Sequence, residues 1–342
     1  MRNNKNKWLL LTSAAAVALG TASVASAATL DDTRNRGAVQ CGVSDGLPGF
    51  SAPDDQGEWQ GLDVDVCRAV AAAVFGDAEA VRYISLNAVE RFTALQSGEV
   101  DVLSRNTTWT TTRDTTLGLN FTGVTFYDGI GFMINRELGV SSAKELDGAA
   151  ICVQSGTTTE LNVADYFRTN GMEFDPIVFD TSEQTVGGYE AGRCDVLTSD
   201  TSQLAALRIQ LSDPEQSVIL PEIISKEPLG PVVRQGDDQW FNIVKWSLFA
   251  MINAEEMGIT QDNVDEMLDA DDPDIARLLG RDGNYGEGMG LSADWAYNII
   301  KQVGNYGESF ERNVGMGSPL EIERGVNALW TDGGIQYAPP VR

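Results

Sequence analysis

The chain writes one supersecondary step twice. A helix-forming segment runs into GEVDVLS at residues 98–104, and another runs into GRCDVLTS at residues 192–199. In both, glycine stands where a helix ends in the left-handed conformation, two residues follow, and Asp-Val-Leu enters an apolar strand. The pattern around each copy alternates alike. The first series predicts strand Ala38–Val43, helix Val64–Phe75, strand Val81–Ile84, helix Glu90–Ser97 and strand Val100–Leu103. The second predicts strand Ala149–Val153, helix Thr158–Asn170, strand Ile177–Phe179, helix Ser182–Ala191, strand Val196–Thr198 and helix Thr201–Leu211. Short strands alternating with helices dictate an α/β fold with largely parallel sheets, here in two similarly built lobes.

Two extended stretches connect the lobes. Phe126–Arg136 carries two glycines, and the proline-punctuated Glu222–Arg234 leads into a long helix beginning near Asp238. Two crossings make the second lobe an insertion at residues 129–230, including the hinge strands. The first lobe then comprises residues 28–128 and 231–342, with a C-terminal extension from about residue 281. This topology supports hinge closure over a cleft.

The first residues read as an export leader: Arg2, Lys5 and Lys7, an apolar run from Trp8 to Leu19, and small residues ending Ala25-Ser26-Ala27. A cleavable signal peptide of residues 1–27 is expected, with the product in a bacterial periplasm. The first cysteine after it is Cys41, so no lipoprotein-type anchor is expected at the cleavage site. Removing the leader takes the formal charge from −26 to −29, because it holds three cations and no acid. Such a surface repels nucleic acid and anionic lipid.

Histidine is absent. That excludes Ser-His-Asp and Cys-His catalysis and the usual zinc sites, and neither metal nor cofactor is expected. The four cysteines, Cys41, Cys67, Cys152 and Cys194, suit disulfides in an oxidising compartment, with three possible connectivities. Pairing within lobes, Cys41 with Cys67 and Cys152 with Cys194, is favoured because a bridge between lobes would lock the hinge.

Loops at the carboxyl ends of parallel strands face a common crevice, where open α/β sheets bind ligands. Three carry suitable chemistry. The loop after Val100–Leu103 holds Arg113 behind Thr108, Thr110, Thr111 and Thr112; its guanidinium fork matches a carboxylate. SGTTT at 155–159 places glycine and a helix N-terminus where an anion is attracted. Asp200 follows the strand Val196–Thr198 and can receive an ammonium. A carboxylate grip on one wall and an ammonium acceptor on the other describe an α-amino acid.

With those motifs in order, the chain resembles the periplasmic solute-binding proteins of polar amino acid ABC transporters. It shares GLDVDV at 61–66, T-x-T-x-x-R at 108–113, S-G-T-T at 155–158, and Gly192, Asp195 and Asp200. CGVSDGLPGF at 41–50 and the paired cysteines resemble the general L-amino acid-binding subfamily. The resemblance implies a two-lobed type II fold and a non-enzymatic receptor that delivers L-amino acids to a membrane permease with a separate ATPase. It implies a monomer and broad selectivity, with Glu, Gln, Asp and Asn favoured. Arg113 is expected to hold the α-carboxylate with Thr108, Thr157 and Thr158, and Asp200 the α-ammonium with Asn106. Ser44, Leu47 and Ala88 stand where relatives build the side-chain pocket, with less stacking and more room here.

Other features read more plainly. Asp63 and Asp65 bracket a helix start and are expected to cap it. Trp109 either walls the cleft or packs under its loop. Tyr306 and Trp330 are core candidates in the extension, and the acidic run Asp262–Asp274 a solvated face. The competing reading is a dehydratase or lyase on the same fold, whose acid would be Glu90 or Glu160.

Overall fold

The computed structural model describes residues 29–342, so the expected leader and its cleavage site lie outside the described residues. Two five-stranded sheets carry the two lobes. Across the first, the order is Val81–Ser85, Val39–Val43, Val102–Leu103, Val232–Arg234 and Leu119–Phe121. Across the second it is Asp175–Phe179, Ala150–Gln154, Val196–Asp200, Ile130–Asn135 and Ser217–Ile219. The helix Thr158–Asn170 has the bounds its sequence predicts.

The sheets are largely parallel, as expected, with one strand reversed in each. In each, the first three strands run parallel, and the fourth pairs antiparallel with both neighbours. The reason is topological. Ile130–Asn135 and Val232–Arg234 follow directly on the two crossings, so each enters its sheet from the cleft end and runs against the strands already there. Between the lobes the crossings themselves pair, with Asp128 opposite Glu227, Tyr127 opposite Pro228 and Phe126 opposite Leu229. A Cβ on Gly230 would sit 1.9 Å from the Gly123 carbonyl oxygen, so glycine is what lets the two crossing segments pass.

The first lobe is built around the alanine-rich helix Leu62–Phe75, eleven of whose fourteen residues are buried. Small side chains let it lie close between the sheet, the long helix Asp238–Glu256 and the extension helix Trp295–Val303. Asp63 and Asp65 do not cap this helix; its N-cap is Gly61, without a side-chain cap bond. Both carboxylates are buried and answer distant donors instead. Asp65 accepts from Ser309, Arg312 and Asn313 of the helix Tyr306–Asn313. Asp63 accepts from the Asn106 N–H at 2.8 Å and the Ser104 hydroxyl at 3.3 Å.

The extension packs on the first lobe. Tyr306 is buried there and donates to the Thr125 carbonyl, close to the first crossing. Trp330 is 51% exposed, against its core reading, because the partners it finds, Tyr337 edge-on to its ring and Glu256 accepting from Nε1, are themselves at the surface. Disulfides join Cys41 to Cys67 and Cys152 to Cys194, one within each lobe. No helix among the described residues is long and apolar enough to cross a membrane.

Candidate ligand-binding site

The strand Val196–Asp200 runs past its apolar core, so Asp200 ends the strand and begins the turn into helix Thr201–Arg208. Its side chain does not cap that helix. It lies between the lobes, 6% exposed, and its Oδ1 has no hydrogen-bond donor among the described residues. Burial pushes its pKa well above the carboxylate range; Asp128 and Glu227 push the same way, and Arg91 and Arg113 oppose them. A buried, under-donated carboxylate is matched by a cation carrying several N–H groups.

Arg113 is not on a loop, as the threonine-rich sequence led us to expect, but within the short helix Thr111–Thr116. Thr110 caps it, accepting from the Arg113 N–H at 3.3 Å. The guanidinium donates to the Thr108 carbonyl at 2.9 Å and lies 5.1 Å from the Phe92 ring centre. Burial lowers its pKa to about 10, with Asp200 and Glu227 resisting, so it stays cationic at neutral pH.

The opposite wall begins at helix Thr158–Asn170. The Thr157 hydroxyl caps it, donating to the Gln154 carbonyl at 2.8 Å and accepting from the Glu160 N–H at 3.4 Å. That cap answers the Glu160 N–H, and the N–H groups of Thr158 and Thr159, which have no intrahelical acceptor, favour an anion. Asn106 faces this wall with φ at +30°, a left-handed conformation that Asn tolerates better than most residues. Its backbone is held by Asp63, whose pKa burial raises to about 6.

Among the expected residues, Asn106, Thr108, Thr157, Thr158 and Asp200 line one cavity between the lobes. Arg113 lies directly behind Thr108. Ser44, Leu47 and Ala88 do not reach the cavity wall. Leu47 and Ser51 bond to each other in both directions, which folds that turn onto the core and leaves Leu47 1% exposed. Ser44 is buried with its N–H on the Ser51 hydroxyl, and Ala88 is buried near Gly156.

Five wall residues carry no such expectation: Arg91, Arg105, Gln154, Ser199 and Gln203. Arg105 was within reach of the strand-end logic, since it follows Leu103 by two residues. It donates to the Leu86 carbonyl at 2.8 Å and approaches Asp45 at 3.8 Å. Arg91, at the start of helix Arg91–Ser97, carries no such signal. It is 3% exposed, makes two 3.5 Å contacts to the Thr107 hydroxyl and the Gly156 carbonyl, and has no acceptor for Nε. Burial, together with Arg113 and Arg105, lowers its pKa; Asp200 opposes. A guanidinium keeps its proton in proteins, so this strain is relieved by an anion rather than by deprotonation.

Trp109 is not on the cavity wall. It stacks on Phe121 with ring centres 5.4 Å apart and faces a groove of about 850 Å³ beside the hinge strands. Glu90 and Glu160 are exposed and off the cavity wall.

The chain is 63% identical over 340 residues to the general L-amino acid-binding periplasmic protein AapJ of Rhizobium johnstonii, covering 99% of this chain and all of that one. It is 54% identical to the glutamate/glutamine/aspartate/asparagine-binding protein BztA of Rhodobacter capsulatus, covering 96% of this chain and 97% of that one. A solved periplasmic binding protein of an ABC transporter from Brucella ovis, with glutathione bound, superposes with a TM-score of 0.91 at 59% identity, covering 92% of this chain and all of that one. The family model for bacterial extracellular solute-binding proteins, family 3, matches residues 39–263. The chain belongs to that family of solute-binding proteins.

Proposed function

We propose that this chain is the substrate-binding subunit of an amino acid ABC transporter, exported to the periplasm by its leader and acting as a monomer. It captures free L-amino acids and presents them to a membrane permease driven by a separate ATPase. The observation that carries this is the buried, under-donated Asp200 on the same cavity as the start of helix Thr158–Asn170, with the Arg113 guanidinium held on the Thr108 carbonyl behind the wall: an acceptor for an ammonium and donors for a carboxylate. No monopolar ligand satisfies both. Residues 28–128 with 231–342, and 129–230, are the two bodies that close, with the paired crossings as hinge.

Ligand contact with both walls stabilises the closed form by differential affinity. Charge-assisted hydrogen bonds contribute roughly 1.5–3 kcal/mol each, and several of them carry binding into the nanomolar-to-micromolar range after ordering costs. Arg91 and Arg105 add cationic demand at the same cavity. That favours side chains ending in a carboxylate or amide, the class printed in the name of the Rhodobacter relative. The γ-glutamyl end of glutathione presents the same α-carboxylate and α-ammonium, so the ligand of the Brucella neighbour can be read by the same poles. Native mass spectrometry of freshly purified protein tests the reading. A retained amino acid or γ-glutamyl peptide, released unchanged, is expected; chemical turnover of any candidate would overturn it.

A further inference from the structure

Two hydroxyls expected to hold the ligand face each other instead. The Thr108 Oγ1 of the first lobe lies 3.3 Å from the Thr158 Oγ1 of the second. Thr158 also bonds the Glu227 carboxylate at 2.9 Å, and Glu227, on the second crossing, is 1% exposed. A carboxylate only accepts, and a hydroxyl has one proton, so the bond must run from Thr158 to Glu227. Thr108 is then the donor to Thr158. The order Thr108 to Thr158 to Glu227 is fixed by proton count, and Asn162 Nδ2 and the Ser225 hydroxyl complete the Glu227 acceptor set.

A second chain crosses the cleft with the same polarity. Asn106 Nδ2 of the first lobe donates to Gln203 Oε1 at 3.0 Å. Gln203 Nε2 donates to Ser182 at 3.2 Å, Ser182 to Gln154 Oε1 at 3.2 Å, and Gln154 Nε2 to the Asp180 carbonyl at 3.2 Å. Asn106, Gln203, Ser182 and Gln154 are all buried, so each missing partner would leave a polar atom dry.

We infer that these two relays are closure latches, and that Thr158 and Gln203 are positioning residues that set the closed population rather than ligand-reading ones. Both hydroxyl protons of the first relay lie on protein acceptors, so the ligand carboxylate is left to Arg113 and the helix N–H groups. This inference rests on the receptor reading and adds that part of the affinity is independent of which ligand is bound.

The test is calorimetry on the full chain with L-glutamate, L-glutamine and L-asparagine, together with small-angle scattering of the unliganded protein. Thr158→Val and Gln203→Met are each expected to weaken all three ligands by the same factor, about tenfold, with their ratios preserved. Thr158→Ser, which restores the hydroxyl, recovers most of the affinity lost in Thr158→Val. The double variant has a larger radius of gyration than the parent. Equal losses are also what a donor to the shared α-carboxylate would give, so the scattering is the deciding measurement: an unchanged radius of gyration in the double variant would overturn the inference, as would unequal losses among the three ligands. The scattering comparison decides the latch even if none of the three ligands binds, an outcome that would count against the receptor reading alone.

Discussion

The two walls of the cleft hold opposite charge by different means. The first lobe presents Arg91, Arg105 and Arg113, three buried cations on separate elements: a helix start, a strand end and a short helix. The second lobe and the hinge answer with the carboxylates Asp200, Glu227 and Asp128, beside the N-terminus of helix Thr158–Asn170, which offers backbone N–H groups and carries Glu160 in its first turn. The cationic wall meets its hydrogen-bond needs largely with backbone carbonyls, while the anionic wall leaves Asp200 short of a donor. The first wall can therefore take anions at more than one point, whereas the second is specified at one. On the proposed receptor reading, that difference gives breadth at the side chain and strictness at the α-ammonium.

The comparison breaks first at the two poles. Arg113→Ala removes a buried cation that the carboxylate needs, and calorimetry should show at least about a hundredfold loss for every L-amino acid. Asp200→Asn should cost about as much for amino acids while leaving their deaminated analogues unaffected. A smaller effect sharpens the asymmetry: Arg91→Met should weaken L-glutamate about tenfold more than L-alanine, because it removes a point of anion demand that L-alanine does not use.

Acidification supplies another probe. Asp200 must be ionised to take an ammonium, and its pKa is raised; the arriving cation lowers it again, so binding favours the deprotonated form. Affinity is therefore complete above the raised pKa and declines as pH falls through it, starting at higher pH than an ordinary carboxylate would dictate. Titrations of L-glutamine across acidic pH check this, and the decline should vanish in Asp200→Asn.

The smallest effect on binding belongs to Asp63, which holds the Asn106 loop. Its pKa is about 6 in the folded chain against an ordinary 3.8, so the native state binds more protons than the unfolded one between those values. Stability should fall as pH rises through that window, by up to about 3 kcal/mol. Asp63→Asn should flatten this slope in denaturant melts while leaving ligand ratios unchanged.

Much of the fold was legible because local signals agreed with the tertiary structure. The repeated Gly-to-Asp-Val-Leu step marked equivalent places in two sheets, and strand-end geometry placed Asp200 and the start of helix Thr158–Asn170 on one cavity. What escaped depends on distant partners. Asp63 and Asp65 look like caps, but their donors come from residues 104–106 and 309–313, which no local pattern announces. Arg91 is an ordinary helix-start cation until the fold buries it between Thr107 and Gly156. Trp330 has the composition of a core residue, yet half of it stays exposed. Sidedness within the 44–51 turn was hidden likewise, since the Leu47–Ser51 pairing turns Leu47 inward.

The central claim is that one cavity reads both charges of a free amino acid. Calorimetric titration of the full chain, stripped of retained ligand, with L-glutamine and with its deaminated analogue tests it directly. The account predicts micromolar or tighter binding of L-glutamine and at least about a hundredfold weaker binding of the analogue lacking the α-ammonium. Equal affinity for the two would contradict it, because Asp200 would then have no ligand to answer.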